Sequence, residues 1–275
     1  MIYYFSATGN SRYVAQQVAA TIGDVCEEIT LSGSPAALHD KKVANVPHSF
    51  FNNNCKSEQA ATNSVFGIVV PTHNWGLPAI VREGRERIDF RIPADTYCFL
   101  IATYGTTTGQ IARQTDRLLR EHTGHGLDAS FGVRMPDIWT PIFDLSDKAK
   151  VTRRVAQAKD ETVAVALQIR QRTRGCHIPR PIPVPFAHIG YAFYDSARQT
   201  RHLHTTDACI GCGLCAKQCP VQAIEMIDKR PQWTQQQCTM CLRCLHHCPK
   251  FAIQYDNRTA KHGQYTFKQY DKLCQ

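Results

Sequence analysis

A doubly wound parallel α/β sheet followed by a small cysteine-rich α+β unit is the fold class the sequence predicts. Three observations carry it. Short apolar runs alternate five times with helical patterns over the first 175 residues. Three of those runs end in loops built from Ser, Thr, Asn, Gly and aromatic residues. Residues 209–224 and 238–253 repeat one another at a constant offset of 29.

The elements follow in order. IYYF (2–5) reads as a buried strand, and Val14, Ala15, Val18, Ala19 and Ile22 then share one helical face, with Gly23 as the stop. A second strand is expected near 25–30. Residues 31–64, punctuated by SGSP and NNN, read as a long connection. VFGIVV (65–70) ends at Pro71 and suits a buried parallel strand; 78–88 suits a helix. YCFLIAT (97–103) is the next strand, 109–122 the next helix, and 127–133 a weaker fifth strand. A long helix is expected from Ser146 to Arg174, with Val151, Val155, Ala158, Thr162, Ala166 and Ile169 on one face and Gly175 at its end. HIPRPIPVPF then places four prolines in a basic stretch of ten residues, which reads as a linker or strap. The expected division is therefore 1–175, a linker at 176–205, and 206–275.

Ligands of doubly wound sheets bind beyond the carboxyl ends of the strands. The loop FSATGNS (5–11) has that position. It lacks the lysine of a Walker A loop, and Gly9 alone does not make a dinucleotide fingerprint. What remains is a ring of polar side chains (Ser6, Thr8, Asn10, Ser11) at a helix N-terminus, which suits a phosphate dianion. The simpler alternative is that Asn10 or Ser11 only caps the helix. Two further loops share that edge. PTHNWGLP (71–78) offers Pro71, Thr72, His73, Asn74, Trp75 and Gly76, and TYGTTTGQ (103–110) offers Thr103, Tyr104, Gly105, Thr106 and Gly109. An aromatic beside a glycine gives a stacking face and a pliable peptide, so the three loops together suit a mononucleotide with a flat head group.

Of 13 cysteines, eight lie between 209 and 248. Each repeat reads C-x2-C-x2-C-x3-C-P. Three cysteines so spaced wrap one cubane, and the fourth is carried off to the other. The expected sets are Cys209, Cys212, Cys215 and Cys248 on one [4Fe-4S] centre, and Cys238, Cys241, Cys244 and Cys219 on a second. Paired zinc sites are the alternative, but zinc modules set two Cys pairs further apart. Arg243, His246 and His247 replace Leu214, Lys217 and Gln218 in the second repeat, so hydrogen bonds and positive charge at the sulfurs are expected to raise the potential of the 238–244 cluster.

Residues 205–255 resemble the bacterial two-cluster ferredoxins. Residues 1–172 resemble a flavodoxin-type FMN domain with a five-stranded sheet, and the whole chain is similar to a family of anaerobes in which the two are fused. The resemblance implies that Ser6, Ala7, Thr8, Gly9, Asn10 and Ser11 cradle the FMN phosphate, and that Trp75 and Tyr104 flank the isoalloxazine. It also implies that the Gly76–Leu77 peptide answers to flavin N5. Loops 71–78 and 103–110 hold no Asp or Glu, so a higher hydroquinone potential than in acidic-loop flavodoxins is expected.

The formal charge of +9 falls to about +3 once two clusters and a phosphate are counted. A nucleic-acid partner is therefore not expected. The strip 151–204 holds nine Lys/Arg against three Asp/Glu, either a docking face for an acidic carrier or a solvated surface. No run is long enough to span a membrane, and the start shows no export signal, so the cytoplasm is the expected location. Three functions compete. One is electron transfer between clusters and FMN, serving an outside carrier. The second is an FMN-dependent reductase of a small substrate, fed by the clusters. The third is a redox sensor acting through a protein partner. Neither donor nor acceptor is legible.

Overall fold

The computed structural model describes residues 1–31, 64–179 and 181–272, so the connection expected over 31–64 lies, but for its ends, outside the described residues. The first elements are β1 (Ile2–Tyr4), α1 (Asn10–Ile22), β2 (Cys26–Glu28), β3 (Val65–Pro71), α2 (Ala79–Glu83), β4 (Tyr97–Tyr104), α3 (Ile111–Thr123), β5 (Ala129–Arg134), α4 (Lys148–Arg170) and β6 (Gly175–His177). The strands form one sheet in the order β2-β1-β3-β4-β5-β6, with every described pairing parallel. The expected five strands are thus six. Gly175–His177 pairs in register with Ala129–Phe131, but it is short, exposed and carries no apolar run, so periodicity gave no sign of it.

The pleat sorts side chains between two helical layers. Cys98, Leu100 and Ala102 of β4 pack with Ile80 and Val81 of α2 and Ile111, Leu118 and Leu119 of α3. Tyr97, Phe99 and Ile101 pack on the other face with Val14 and Val18 of α1 and Val151, Val155 and Ala166 of α4. All eight residues of β4 are buried, as a central strand requires. Gly23 ends α1 in the left-handed conformation, its N–H donating to the Ala19 carbonyl. Strand order reverses between β1 and β3, opening a crevice at the carboxyl edge.

The stretch expected as a strap contains a helix, α5 (Val184–Ala197). The cysteine-rich unit follows with β7 (Leu203–Thr205), α6 (Leu214–Lys217), β8 (Ile224–Ile227), β9 (Arg230–Trp233), α7 (Arg243–His246), β10 (Ile253–Tyr255) and α8 (Phe267–Asp271). β7 pairs with β10 and β8 with β9, both antiparallel. The sequence repeat is also a backbone repeat: positive φ recurs at Gly211 and Met240, Gly213 and Leu242, Gln222 and Phe251. Ala223 N–H meets Cys219 Sγ at 3.2 Å, and Ala252 N–H meets Cys248 Sγ at 3.3 Å.

Three of the basic residues in the strip are held in ion pairs. Lys159 meets Asp271 at 2.7 Å, Arg174 meets Asp128 at 2.6 Å, and Arg198, 9% exposed, meets Glu83 at 2.7 Å. Among the described residues no helix is long and apolar enough to cross a membrane.

Candidate functional site

A cavity of about 460 Å³ lies at the carboxyl edge of the sheet, within the usual size for a small-molecule site. Its wall brings together Ser6, Ala7, Thr8, Asn10, Ser11, Pro71, Thr72, His73, Asn74, Trp75, Thr103, Tyr104, Gly105 and Thr106. Gly9, Gly76 and Gly109, also expected at the site, are not part of that wall.

The Ser6–Ser11 loop is braced from the far end of the chain. Arg243 donates to the Ser6 carbonyl, His247 Nε2 lies 3.2 Å from the Ala7 carbonyl, and Phe267 N–H donates to the Thr8 carbonyl at 2.8 Å. Three successive carbonyls are therefore taken on one side. The first N–H groups of α1 have no intrahelical acceptor, and the loop amides are left to face an anion. Within the loop Gly9 N–H donates to Ser6 Oγ at 3.1 Å, Ser11 Oγ meets Thr103 Oγ1 at 2.8 Å, and Tyr265 O–H donates to Asn10 Oδ1 at 2.7 Å. The alternative of Asn10 or Ser11 as a cap is not realised: no side chain caps α1, and Gly9 holds the cap position at φ 102.

Residues 73–76 form a tight hairpin, with Asn74 at φ 41 and Trp75 at φ 69 and His73 and Gly76 exchanging hydrogen bonds at 2.9 Å. The Gly76–Leu77 peptide is fully engaged, its carbonyl on His73 N–H and its N–H on Gln114 Oε1 at 2.8 Å. It does not stand poised at the cavity, so the expected switching peptide is not free to turn. Tyr104 lines the cavity but is 8% exposed, its ring against Gly132. Trp75 is covered by α5: a Cβ on Gly190 would lie 2.5 Å from Cε3 of the indole. Replacing Gly190 by valine should therefore shift Trp75 or expel α5 and cost about 1–3 kcal/mol. Urea unfolding and tryptophan fluorescence measure this, and an unchanged midpoint and emission would refute the contact. Gly109 is more constrained still, with φ +56 and the Trp75 carbonyl 2.1 Å from a Cβ.

Sequence reasoning missed the loop after β5. Met135, Pro136, Asp137, Ile138, Trp139, Ile142 and Phe143 complete the cavity wall. The signal was available, because the carboxyl end of a fifth strand lies on the same edge as the other three loops. Asp137 corrects the expectation of an acid-free site. Burial pushes its carboxyl up to about 6, against hydrogen bonds from Trp139 N–H and Thr106. Burial, helped less by Arg198, pushes His73 down to about 4, so it is neutral at pH 7. Its Nδ1 lies 3.1 Å from Tyr194 Oη, which donates to the Thr239 carbonyl at 2.9 Å. Thr72 and Thr107 hydroxyls are buried on this wall without a partner, which fits a polar occupant.

Met240, Cys241 and Leu242 of the second cysteine loop reach the same cavity. Left-handed backbone at Met240 and Leu242 is disfavoured by roughly 1–2 kcal/mol each, but both are 3% exposed and their packing offsets it. Cys209, Cys212, Cys215 and Cys248 line one separate recess. Cys219, Cys238, Cys241 and Cys244 lie within electrostatic reach of one another; burial pushes Cys238 up to about 12 and Cys241 up to about 11, Arg243 pulling Cys241 the other way. The side-chain hydrogen bonds of the three residues expected at the cluster sulfurs go elsewhere, while the charge of Arg243 does reach Cys241. Arg243 binds Ser6, Glu28 and Gln218, His247 faces Ala7, and His246 donates to the Ile138 carbonyl at 2.9 Å. They join the two units instead.

A family model described as a 4Fe-4S dicluster domain matches residues 202–249. An uncharacterized polyferredoxin-like protein from Methanocaldococcus jannaschii is 38% identical over 60 residues, 17% of this chain and 36% of that protein. A component of the ion-translocating oxidoreductase complex from Methanosarcina acetivorans is 41% identical over 46 residues, 17% of each chain. The match thus spans little over a third of the first relative and about a sixth of the second. A solved structure titled flavone reductase aligns over 91% of this chain and 85% of its own at 15% identity and a TM-score of 0.29, too distant to support an argument. The cysteine-rich region is a 4Fe-4S ferredoxin-type domain, a kind of domain suited to electron transfer.

Proposed function

We propose that the chain is an electron conduit in which two [4Fe-4S] clusters exchange electrons with an FMN held at the carboxyl edge of the sheet. The single observation that carries this reading is Cys241, a cysteine of the second repeat, lining the same cavity as the Ser6–Ser11 loop. The FMN domain is residues 1–175 and the two-cluster domain 206–275, with 176–205 joining them and covering Trp75.

In this reading Cys209, Cys212, Cys215 and Cys248 hold one cluster, and Cys238, Cys241, Cys244 and Cys219 the other. The shared recess of the first set supports the crossing. FMN is supported by the strand order 2-1-3-4-5 within the sheet, by the braced amide loop, and by the two unpartnered threonine hydroxyls. FMN, when bound, accepts electrons singly and stores two. The chain fixes its phosphate at Ser6–Ser11, excludes water with α5 and the 135–143 loop, and sets Cys241 beside it. The first cluster is nearer solvent, with Cys212 exposed, and is the port for an external one-electron carrier.

The test is an anaerobic reductive titration of the reconstituted full chain. About eight irons and one FMN per chain, with clusters and flavin reducing one another without a mediator, are expected. Clusters without bound flavin would overturn the conduit.

A further inference from the structure

We propose that the cavity is also a catalytic site, taking a small, uncharged, planar carbonyl compound beside the flavin, with Asp137 giving the substrate oxygen its proton. This rests on the FMN reading above.

Two large apolar side chains stand where the cavity meets solvent, beside the exposed Thr106. Ile142 is 65% exposed and Phe193, on α5, 68%, and both line the cavity together with Trp139 and Phe143. Exposed aromatic and branched side chains converging on a pocket favour an apolar occupant. Among the described residues the lining carries no Lys or Arg, and in this reading the Ser6–Ser11 amides are occupied by the FMN phosphate, so a second anion would find no counter-ion there. Two indoles in the lining, Trp75 and Trp139, favour a flat molecule.

Asp137 is the proton-bearing group on the wall of this cavity. Its Oδ1 accepts from Trp139 N–H at 3.1 Å, and Oδ2 lies over the bare Cα of Gly105, where a Cβ would fall 2.3 Å away. Charged and titratable groups on the surrounding elements are engaged elsewhere. Arg134 Nε donates to the Gly105 carbonyl, and Arg134 N–H donates to the Glu161 carboxylate. His73 faces Tyr194, His246 donates to the Ile138 carbonyl, and His262 lies 2.6 Å from the Thr140 carbonyl. Among the described residues no cation stands against Asp137 to hold it ionised, and burial keeps its proton on to about pH 6.

The carbonyl compound gains two electrons and two protons, and two molecules of a reduced low-potential one-electron carrier are oxidised through the clusters and flavin. As the new O–H bond forms on the substrate oxygen, the O–H bond of Asp137 breaks. Water supplies the second proton and reprotonates the Asp137 carboxylate.

The experiment uses the reconstituted full chain and duroquinone, a neutral planar probe without a free ring position for thiol attack. Flavin content is measured first; a chain that binds no FMN refutes the conduit and this site with it. With FMN bound and oxidised, duroquinone is expected to perturb the flavin spectrum, and a sulfonated quinone to bind at least about tenfold more weakly. Phe193→Asp, at an exposed position, should weaken duroquinone about tenfold. Asp137→Asn should leave flavin content and duroquinone binding within about twofold, slow its reduction about a hundredfold, and abolish the fall in rate as pH rises through about 6. No spectral perturbation in flavin-loaded protein, equal binding of the charged probe, or an Asn variant with the parental rate and pH profile would each overturn the site while leaving the conduit standing.

Discussion

Replacing Arg243 by leucine is expected to weaken FMN binding about thirtyfold while the iron content stays unchanged. The guanidinium donates to the Ser6 carbonyl, pairs with Glu28, reaches the Gln218 carbonyl at 3.3 Å and lies 6.0 Å from the centre of the Phe5 ring. Its side chain is 12% exposed, so the contacts are shielded from water. A hydrogen bond from a charged donor contributes about 1.5–3 kcal/mol, and about 2 kcal/mol corresponds to roughly thirtyfold in affinity. Losing it frees the Ser6 peptide to turn, and the amide cradle loses its fixed direction. Glu28 keeps Arg12 at 2.7 Å, which limits the damage to the fold. Arg243→Lys, which retains charge without the planar fork, should fall between the two. Quenching of FMN fluorescence on titration gives the affinities directly. A leucine variant with parental affinity would show that the brace is incidental.

Cys241→Ser should lower the iron content from about eight to about four and isolate the flavin from the outside carrier. The thiol is 8% exposed and stands on the cavity wall, so the cluster it holds is the one beside the flavin. The first-repeat cluster should still be reduced, with its EPR signal intact. Crossed ligation makes a sharper demand. Cys248→Ser lies in the second repeat by sequence but lines the recess of the first set, so its spectrum should copy that of Cys212→Ser. If it copied Cys241→Ser instead, the assignment of both sets would be wrong.

The cysteine spacing by itself determined the chemistry of the C-terminal unit, because three sulfurs two residues apart are brought together by one turn of loop. Periodicity located β1, α1, β3, β4, α3, β5 and α4 within a few residues for the same reason: alternation and helical repeats are local properties. Where the local pattern was weak, the reading failed. Gly175–His177 became an edge strand only through pairing with β5, and the proline stretch became α5 packed on Trp75 through Gly190. The site itself divides along the same line. Polar and glycine-rich loops at three strand ends pointed to the cavity edge, but the carboxylate that lines it, Asp137, comes from a fourth. Arg243 meets Ser6 across 237 residues of chain and His247 meets Ala7 across 240. Contacts that distant leave no periodicity for a sequence to display, so only the packing of one unit on the other decided that the hydrogen bonds of these side chains go to the amide loop.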